Sequence, residues 1–316
     1  MDIQQEMRNE ARRLLESGEV KVVIGYEQGS TAFKCTPAFV ESSDDVDRLI
    51  WSPACTNNLA TYLPQEAKEA RAAIVAKGCD VRSIIMMIQE KQVDRSNVHI
   101  IGVPCAGVVE ATALESGDFR LDDIRGISWD GGKFAVQTVS GNHSLDRNAV
   151  VKSACKTCGY PVPTQADTMI GGEEAAQISA TSESGFAMPE SMEERRAYWA
   201  KQFEKCTRCY ACRQACPGCF CKECFIDRIV PRWAAKRAGA SDAWMFHITR
   251  AMHNAGRCSQ CGECSRACPV GIPVHELARE IERHVAELFD YTSGMEFGGD
   301  PALGTFKAED PDPSHG

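Results

Sequence analysis

Apolar residues in the first half of the chain fall into two kinds of pattern. Apolar positions at helical spacing predict a helix over residues 2–17, and Asp80 predicts the start of another helix that continues to about Gln92. Short continuous apolar runs predict buried strands at residues 21–26, 72–76, 98–103 and 134–139. Strands that alternate with helical segments are typical of an α/β domain, which this pattern places over residues 21–176.

The second half of the chain is helical in pattern and follows a segment of different composition. Residues 177–190 are rich in Ser, Gly and Pro and predict a linker or an exposed loop. A short helix is predicted from Ser191 to about Glu204, and an apolar stripe predicts an amphipathic helix from Val274 to Phe289. The predicted units are an N-terminal helix (1–20), an α/β domain (21–176), a linker with a short helix (177–200), a mostly α-helical ferredoxin-like domain (201–289) and a flexible or partner-bound tail (290–316).

Charge and hydropathy disfavour several classes of function. The 316 residues include 35 basic and 44 acidic side chains, and the net charge of −9 disfavours binding to nucleic acid or to an anionic membrane. No apolar run approaches the roughly 20 residues that a membrane-spanning helix needs. The first residues lack the pattern of a secretory signal. We therefore expect a cytoplasmic protein.

The cysteine content is the feature of the composition that says most about function. The chain has 17 cysteines, an odd number that excludes complete pairing. The cytoplasm keeps thiols reduced, so a disulfide framework is not expected there. Metal binding is therefore the expected role for most of these cysteines.

Eight of the cysteines form two runs with the same spacing. CTRCYACRQACP (206–217) and CSQCGECSRACP (258–269) both read C-x2-C-x2-C-x3-C-P, the spacing of bacterial ferredoxins, in which the fourth Cys of each run ligates the other cluster. This spacing predicts two [4Fe–4S] clusters. Their ligands would be Cys206, Cys209, Cys212 and Cys268 for cluster 1, and Cys258, Cys261, Cys264 and Cys216 for cluster 2. Structural zinc, the alternative, usually uses two close pairs separated by a loop, which does not fit these runs.

The surroundings of the two runs depart from a compact ferredoxin. Cys216 and Cys258 lie 42 positions apart, with a predicted helical segment from Phe225 to Gly256 between them. The arrangement resembles the α-helical ferredoxin modules of heterodisulfide-reductase and succinate-dehydrogenase iron–sulfur subunits. Three further cysteines fit no standard spacing, namely Cys219, Cys221 and Cys224. They are alternative ligands, part of another metal site, or reduced thiols packed near the clusters.

Four cysteines of the predicted α/β domain are candidates for a further site. Cys155 and Cys158 form a C-x2-C pair, and the nearby Pro161 argues against a thioredoxin-like helix after it. Cys79 and Cys105 each come just beyond a predicted buried strand. Strand ends are where α/β domains place their ligands, so the four thiols have a common place to converge.

Four segments of this domain resemble a known family. WSPACTNNLATYL, VAKGCDVRSI, IIGVPCAGVV and CKTCGYPVPTQADTMIGG occur in this order, over roughly residues 20–175. They are similar to the β subunit of deazaflavin-reducing hydrogenases and of the related deazaflavin-dependent formate dehydrogenases. The domain of that family carries one [4Fe–4S] cluster and the flavin FAD.

The resemblance implies cofactors for this chain. A third [4Fe–4S] cluster would be held by Cys79, Cys105, Cys155 and Cys158. Cys55 is a spare candidate ligand, and otherwise Cys35 and Cys55 are expected to be small buried apolar residues. FAD is implied by the resemblance alone, because the chain has no G-x-G-x-x-G and no residue is assigned to a flavin contact.

Several clusters in one chain favour electron transfer as the function. We expect an iron–sulfur electron-transfer subunit of a cytoplasmic multisubunit oxidoreductase, of hydrogenase, formate dehydrogenase or heterodisulfide-reductase type, with the other subunits as its partners. No catalytic residue is assigned. Four histidines in helical contexts are predicted to be surface or capping residues, namely His247, His253, His275 and His284. The alternatives are an FAD-containing subunit that itself reduces a deazaflavin, nicotinamide or disulfide substrate, and a zinc-dependent assembly scaffold without redox activity.

Overall fold

The computed structural model describes residues 2–115, 119–172, 178, 180, 186–235 and 239–305, and contains an α/β region followed by a helical region. The strands are β1 (Val22–Gln28), β2 (Cys35–Val40), β3 (Ala72–Ala76), β4 (Val98–Gly102), β5 (Ile124–Trp129), β6 (Lys133–Thr138), β7 (Gly141–Asp146) and β8 (Thr168–Met169). The helices of the α/β region are α1 (Ile3–Glu16), α2 (Leu63–Glu66), α3 (Gly78–Gln89), α4 (Ala111–Glu115), α5 (Arg147–Val150) and α6 (Ser153–Lys156). Those of the helical region are α7 (Met192–Glu204), α8 (Ala211–Gln214), α9 (Ala240–His253), α10 (Glu263–Arg266) and α11 (Val274–Phe289). The linker predicted at 177–190 lies partly outside the described residues, as does the tail beyond residue 305.

A five-stranded mixed sheet in the order β2-β1-β3-β4-β8 forms the centre of the α/β region. β2 is antiparallel to β1, whereas β1, β3, β4 and β8 are parallel. β3 and β4 are buried along their whole length, because α1 covers one face of the sheet and α3 covers the other. The carboxyl ends of these two strands therefore meet at one edge of the sheet, and Cys79 and Cys105 follow them.

A second, antiparallel sheet of β5, β6 and β7 packs beside the first around Phe134 and Val136. The strand predicted at 134–139 is confirmed as β6, but it belongs to this separate sheet and not to the central one. β7 leads directly through α5 into α6, which carries Cys155. The second sheet thus delivers the C-x2-C pair to the edge where β3 and β4 end.

The helical region is built around α7, α9 and α11. Trp199, Phe203, Phe246 and Leu277 form its apolar core. The helices predicted at 191–204 and 274–289 are confirmed. The helical segment predicted from Phe225 to Gly256 is helical only in its second half, because α9 is the one helix among its described residues. No helix among the described residues is long and apolar enough to cross a membrane.

The helical region packs against α3 through buried polar contacts. Arg82 of α3 donates to the backbone carbonyls of Ser259 and Ser293, at 3.2 and 3.0 Å. Gly294 has a φ of +69°, and a Cβ there would lie 2.0 Å from the carbonyl oxygen of Arg82. Residues 290–305, predicted as part of a flexible or partner-bound tail, thus have contacts with the chain's own α3 in this structure. The predicted domain boundaries stay predictions.

Candidate metal centres

The two ferredoxin runs fold into loops of the same shape. In each run, the second residue after the first Cys and the first residue after the second Cys have positive φ angles. These residues are Arg208 (56°), Tyr210 (60°), Gln260 (60°) and Gly262 (74°). As a result, the backbone N–H of Arg208 donates to Cys206 Sγ and that of Gln260 donates to Cys258 Sγ, both at 3.4 Å. Such N–H···S bonds stabilise the thiolate form, which is the form that binds metal.

The third cysteine of each run lies on a short helix, Cys212 on α8 and Cys264 on α10. These two helices contact each other. The fourth cysteine of one run can therefore lie close to the first three cysteines of the other run. One cavity in this region is bordered by Cys216, Cys258, Cys261 and Cys264. The structure therefore brings together the four residues that the spacing predicts for cluster 2, including one from the opposite run.

The four residues predicted for cluster 1 are also neighbours. Burial raises the pKa of Cys206, and the adjacent thiols of Cys268 and Cys209 add to this effect. Burial likewise raises the pKa of Cys212 to about 11, with Cys268 and Cys206 among the contributing groups. Ile272 donates its backbone N–H to Cys268 Sγ at 3.3 Å. Cys209 is exposed, so this site reaches the protein surface.

The third group of cysteines meets at the carboxyl edge of the central sheet. Cys79 is the second residue of α3, and Cys105 follows β4 with its backbone N–H donating to the carbonyl of Pro161 at 3.0 Å. A Cβ on Gly78 would lie 1.9 Å from the carbonyl oxygen of Tyr160, so only glycine lets the C-x2-C loop approach α3 this closely. One cavity is bordered by all four predicted residues, namely Cys79, Cys105, Cys155 and Cys158.

The helix after β3 begins earlier than the sequence pattern predicted. α3 starts at Gly78, two positions before Asp80. Asp80 lies in the first turn, where its carboxylate accepts from the backbone N–H of Lys77 at 3.0 Å and pairs with the Lys77 ammonium at 2.9 Å. Starting the helix at Gly78 places Cys79 at its N-terminal end, facing the cavity.

The donor sets fit iron–sulfur clusters. Within the described ranges, no three His, Cys, Asp or Glu side chains converge closely enough to hold a single metal ion. The thiols instead border cavities, and in a cluster each thiolate binds a different iron atom. Basic side chains also border the cavity of the third group, namely Lys77, Arg147 and Lys152. Lys77 is paired with Asp80 and Lys152 with Glu263, so Arg147 is the side chain of this set whose charge offsets the negative charge that four thiolates carry.

The cavity bordered by the residues predicted for cluster 2 and the cavity of the third group share a wall. Cys261 and Glu263 border both of them. Glu263 is buried and pairs with the buried Lys152 of the α/β region at 2.9 Å. A Cβ on Gly262 would lie 2.6 Å from the Cβ of Ala154 on α6. The second ferredoxin loop is therefore packed directly against the helix that carries Cys155.

His247 is a neighbour of Cys206, one of the residues predicted for cluster 1, and the sequence did not indicate this contact. It is 2% exposed, its Nε2 lies 3.4 Å from Cys206 Sγ, and its ring stacks on Phe203. Burial and the nearby Arg250 lower the pKa of His247 to about 4, so its imidazole is neutral at pH 7. The prediction of surface or capping histidines is wrong for His247 and for His275, which is 5% exposed. Helical spacing gave no signal, because the contact joins α9 to a loop 41 positions away.

The remaining cysteines lie beside these sites. Cys55 is 1% exposed, and Cys35 lies partly buried beside the same core. The place of Cys55 as a spare candidate ligand stays a prediction. A separate cavity next to cluster 2 is bordered by Cys219, Cys221 and Cys224. Cys219 Sγ accepts from the side-chain amide of Asn254 at 3.5 Å. None of these three residues borders the cavity of the residues predicted for cluster 2, but the thiol of Cys219 is hydrogen-bonded to that of Cys216, which does border it. A role of Cys219 as an alternative ligand therefore stays a prediction.

An aromatic cavity lies on the other side of the third group. Trp51, Trp129 and Phe134 border it, and it shares Lys77 and Cys105 with the cavity of the four cysteines. No sequence motif indicated this cavity, because its walls come from strand ends and loops that are far apart in the chain.

Comparison with known proteins identifies two regions of the chain. Residues 69–206 match the family described as the C terminus of the beta subunit of coenzyme F420 hydrogenase/dehydrogenase. Residues 202–272 match the 4Fe-4S dicluster domain. The resemblance to this β-subunit family, joined to a two-cluster ferredoxin module, is thereby confirmed.

Two curated relatives align with nearly the whole chain. The F420-dependent formate dehydrogenase 1 subunit beta of Methanococcus maripaludis is 26% identical, with 92% of this chain and 90% of the relative covered. The F420-dependent formate dehydrogenase subunit beta of Methanocaldococcus jannaschii is 23% identical, with 90% and 89% covered. Among solved structures, a chain of the F420-reducing [NiFe] hydrogenase complex from Methanosarcina barkeri is 15% identical with a TM-score of 0.43, and 51% of this chain and 61% of that chain are covered.

Proposed function

We propose that this chain, which resembles the β subunits of F420-dependent formate dehydrogenases and contains a 4Fe-4S dicluster domain, is the iron–sulfur electron-transfer subunit of a deazaflavin-dependent oxidoreductase complex. The observation that carries the proposal is the pair of thiol-bordered cavities with a common wall at Cys261. A catalytic partner protein, of the formate dehydrogenase type found in the relatives, would complete the complex.

We assign three [4Fe–4S] clusters to the chain. Cluster 1 is assigned to Cys206, Cys209, Cys212 and Cys268, cluster 2 to Cys216, Cys258, Cys261 and Cys264, and cluster 3 to Cys79, Cys105, Cys155 and Cys158. When bound, a [4Fe–4S] cluster accepts and releases single electrons. The chain's own residues hold the three sites in fixed positions and surround them with N–H donors and basic groups.

The three sites form a series between two ends. At one end Cys209 of cluster 1 is exposed to solvent. At the other end the aromatic cavity shares Cys105 with the cavity assigned to cluster 3. A protein that relays electrons needs an accessible site at each end, and this order supplies both of them.

A second candidate function, flavin-dependent reduction of a substrate, is favoured by the aromatic cavity. Trp51 and Trp129 border this cavity next to Cys105, and planar cofactors commonly bind beside aromatic side chains. In this version FAD binds there and the chain itself reduces a deazaflavin. The test is to denature the anaerobically purified complex and measure the flavin that it releases. Flavin in the wild-type complex and its loss in the W129A variant would support this version. A flavin-free complex that still reduces a deazaflavin would contradict it.

The proposed relay is tested by replacing the exposed ligand of cluster 1. The Cys209→Ser variant, purified in complex with the catalytic partner protein, is expected to lose formate-dependent reduction of F420. Reduction of a viologen dye by the catalytic partner should persist. Cys221→Ser is the matched control, because Cys221 is also exposed but belongs to none of the assigned ligand sets. Normal F420 reduction in the Cys209→Ser complex would refute the relay.

A further inference from the structure

Arg250 on α9 is a buried cation without a carboxylate partner. It is 5% exposed, and no Asp or Glu oxygen in the described part of the chain lies within ion-pair distance of it. One terminal nitrogen donates to the backbone carbonyl of Cys212 at 3.1 Å, whereas Nε has no hydrogen-bond partner among the described residues. A buried guanidinium without a counter-ion is strongly unfavourable, so a negative group must stand near it in the working protein.

The other basic side chains of this neighbourhood have such partners. Arg213 pairs with Asp227 at 2.7 Å. Arg257 makes a two-pronged contact with Glu90, at 2.5 and 2.9 Å. Arg250 differs from them in that the groups closest to its charge are thiols and not carboxylates.

Three of those thiols belong to the ferredoxin runs, namely Cys212 and Cys216 of the first run and Cys264 of the second, and the fourth, Cys219, lies just beyond the first run. Arg250 borders the cavity that Cys216 and Cys264 help to form, and it also donates to the carbonyl of Cys212, which is assigned to cluster 1. Burial alone would lower the pKa of Arg250, but nearby Cys216, Cys219 and Cys264 outweigh burial and raise it above its usual value. Arg250 therefore stands between the ligand sets of the two clusters.

We propose that Arg250 is the shared counter-ion of the two ferredoxin clusters, and that its charge raises the reduction potential of both. The inference rests on the ligand assignments of the proposed function. Reduction adds one negative charge to a site that four thiolates already make negative. A fixed buried cation stabilises the more negative state more strongly, because Coulomb energy grows with the charge and is little screened away from water.

The test compares two variants of Arg250 with a control. Midpoint potentials of both ferredoxin clusters are measured by EPR-monitored redox titration of the anaerobic holoprotein, with iron and acid-labile sulfide determined on the same samples. Arg250→Gln is expected to shift both midpoints to more negative potential, and Arg250→Lys is expected to keep them near the wild-type values. Arg213→Gln is the control, and its shift should be smaller because Asp227 already neutralises Arg213. Unchanged midpoints in an iron-replete Arg250→Gln protein would overturn the inference.

Loss of iron gives a separate readout. If Arg250→Gln fails to retain its clusters, the counter-ion role predicts that Arg250→Lys retains full iron with midpoints near the wild-type values. Iron loss in both variants would show that Arg250 is needed for its shape and not its charge, and would refute the inference. Wild-type protein with less than about 8 irons per chain would instead refute the ligand assignments of the proposed function.

Discussion

At the scale of single residues, Cys261 is the cysteine that borders two of the candidate sites. Its thiol borders the cavity of cluster 2 and also the cavity of cluster 3, and burial raises its pKa. The spacing of the second run predicts Cys261 as a ligand of cluster 2, and the structure places it in one cavity with Cys216, Cys258 and Cys264. Its contact with the other site was not predictable, because that contact joins segments more than 100 positions apart in the sequence.

Replacing Cys261 by Ser is expected to remove cluster 2. Serine is a poor ligand for the soft iron–sulfur unit, so iron in the anaerobically purified variant should fall from about 12 to about 8 atoms per chain or lower. Cys35→Ser is the control, because Cys35 borders neither cavity. Equal iron in the Cys261→Ser and wild-type proteins would remove Cys261 from the ligand set.

Residues that surround the sites were harder to predict than the ligands. The run spacing predicts the ligands, including the exchange of the fourth Cys between runs, because that pattern is local in the sequence, and the assignment stays a prediction. His247 and Arg250 carry no such pattern, because each lies within a helix and contacts a cysteine 41 or 38 positions away. Their roles follow from burial and hydrogen bonding alone.

At the scale of secondary-structure elements, the α3 terminus and the C-x2-C loop must approach closely to form the third site. Gly78→Ala places a Cβ against the carbonyl oxygen of Tyr160, a backbone atom that cannot move aside as a side chain can. We expect this variant to lose the third cluster, with iron falling by about 4 atoms per chain. Gly132→Ala is the control, since its added Cβ has open space around it. Full iron in Gly78→Ala would show that the loop does not sit against α3.

Lys152 and Glu263 form a buried ion pair between the two regions, in addition to the contacts of Arg82 with residues 259 and 293 and of Arg257 with Glu90. Removing one partner of a buried pair leaves the other charge uncompensated and costs about 3–5 kcal/mol. Arg266 also pairs with Glu263, at 2.8 Å, so we place Lys152→Met at the lower end of that range. Anaerobic thermal unfolding should show a Tm lower by roughly 5–10 °C.

The matched control for this prediction is Lys133→Met. Lys133 pairs with Asp146 at 3.3 Å on the surface, where both side chains are largely exposed. Exposed pairs contribute about 0–1 kcal/mol, so its Tm should stay within roughly 3 °C of the wild type. Similar Tm values for the two variants would mean that the Lys152–Glu263 pair does not join the regions.

Strands were predictable where every residue is buried, and helices were predictable where apolar residues repeat at helical spacing over several turns. β3 and β4 are buried throughout, and α1 and α11 carry regular apolar stripes. β7 is half exposed and β8 has two residues, so neither gives an alternating or continuous apolar pattern. The second sheet could not be separated from the first, because strand pairing depends on contacts that the local pattern does not contain.

At the scale of the whole molecule, the proposed relay runs as a series of three groups of thiols from the aromatic cavity to the exposed Cys209. The α/β region supplies the first site, and the packing of the second ferredoxin loop against α6 brings the next one into contact with it. The fold class was predictable from the alternation of elements and the cysteine spacing. The order of the sites was not, because it depends on how the two regions pack.

Iron and acid-labile sulfide per chain test the central claim most directly. The measurement is made on anaerobically purified wild-type protein with its mass determined independently. Three thiol-bordered sites predict about 12 irons and about 12 sulfides per chain. A value of about 8 would restrict the clusters to the ferredoxin runs and would contradict a series that begins at Cys79, Cys105, Cys155 and Cys158.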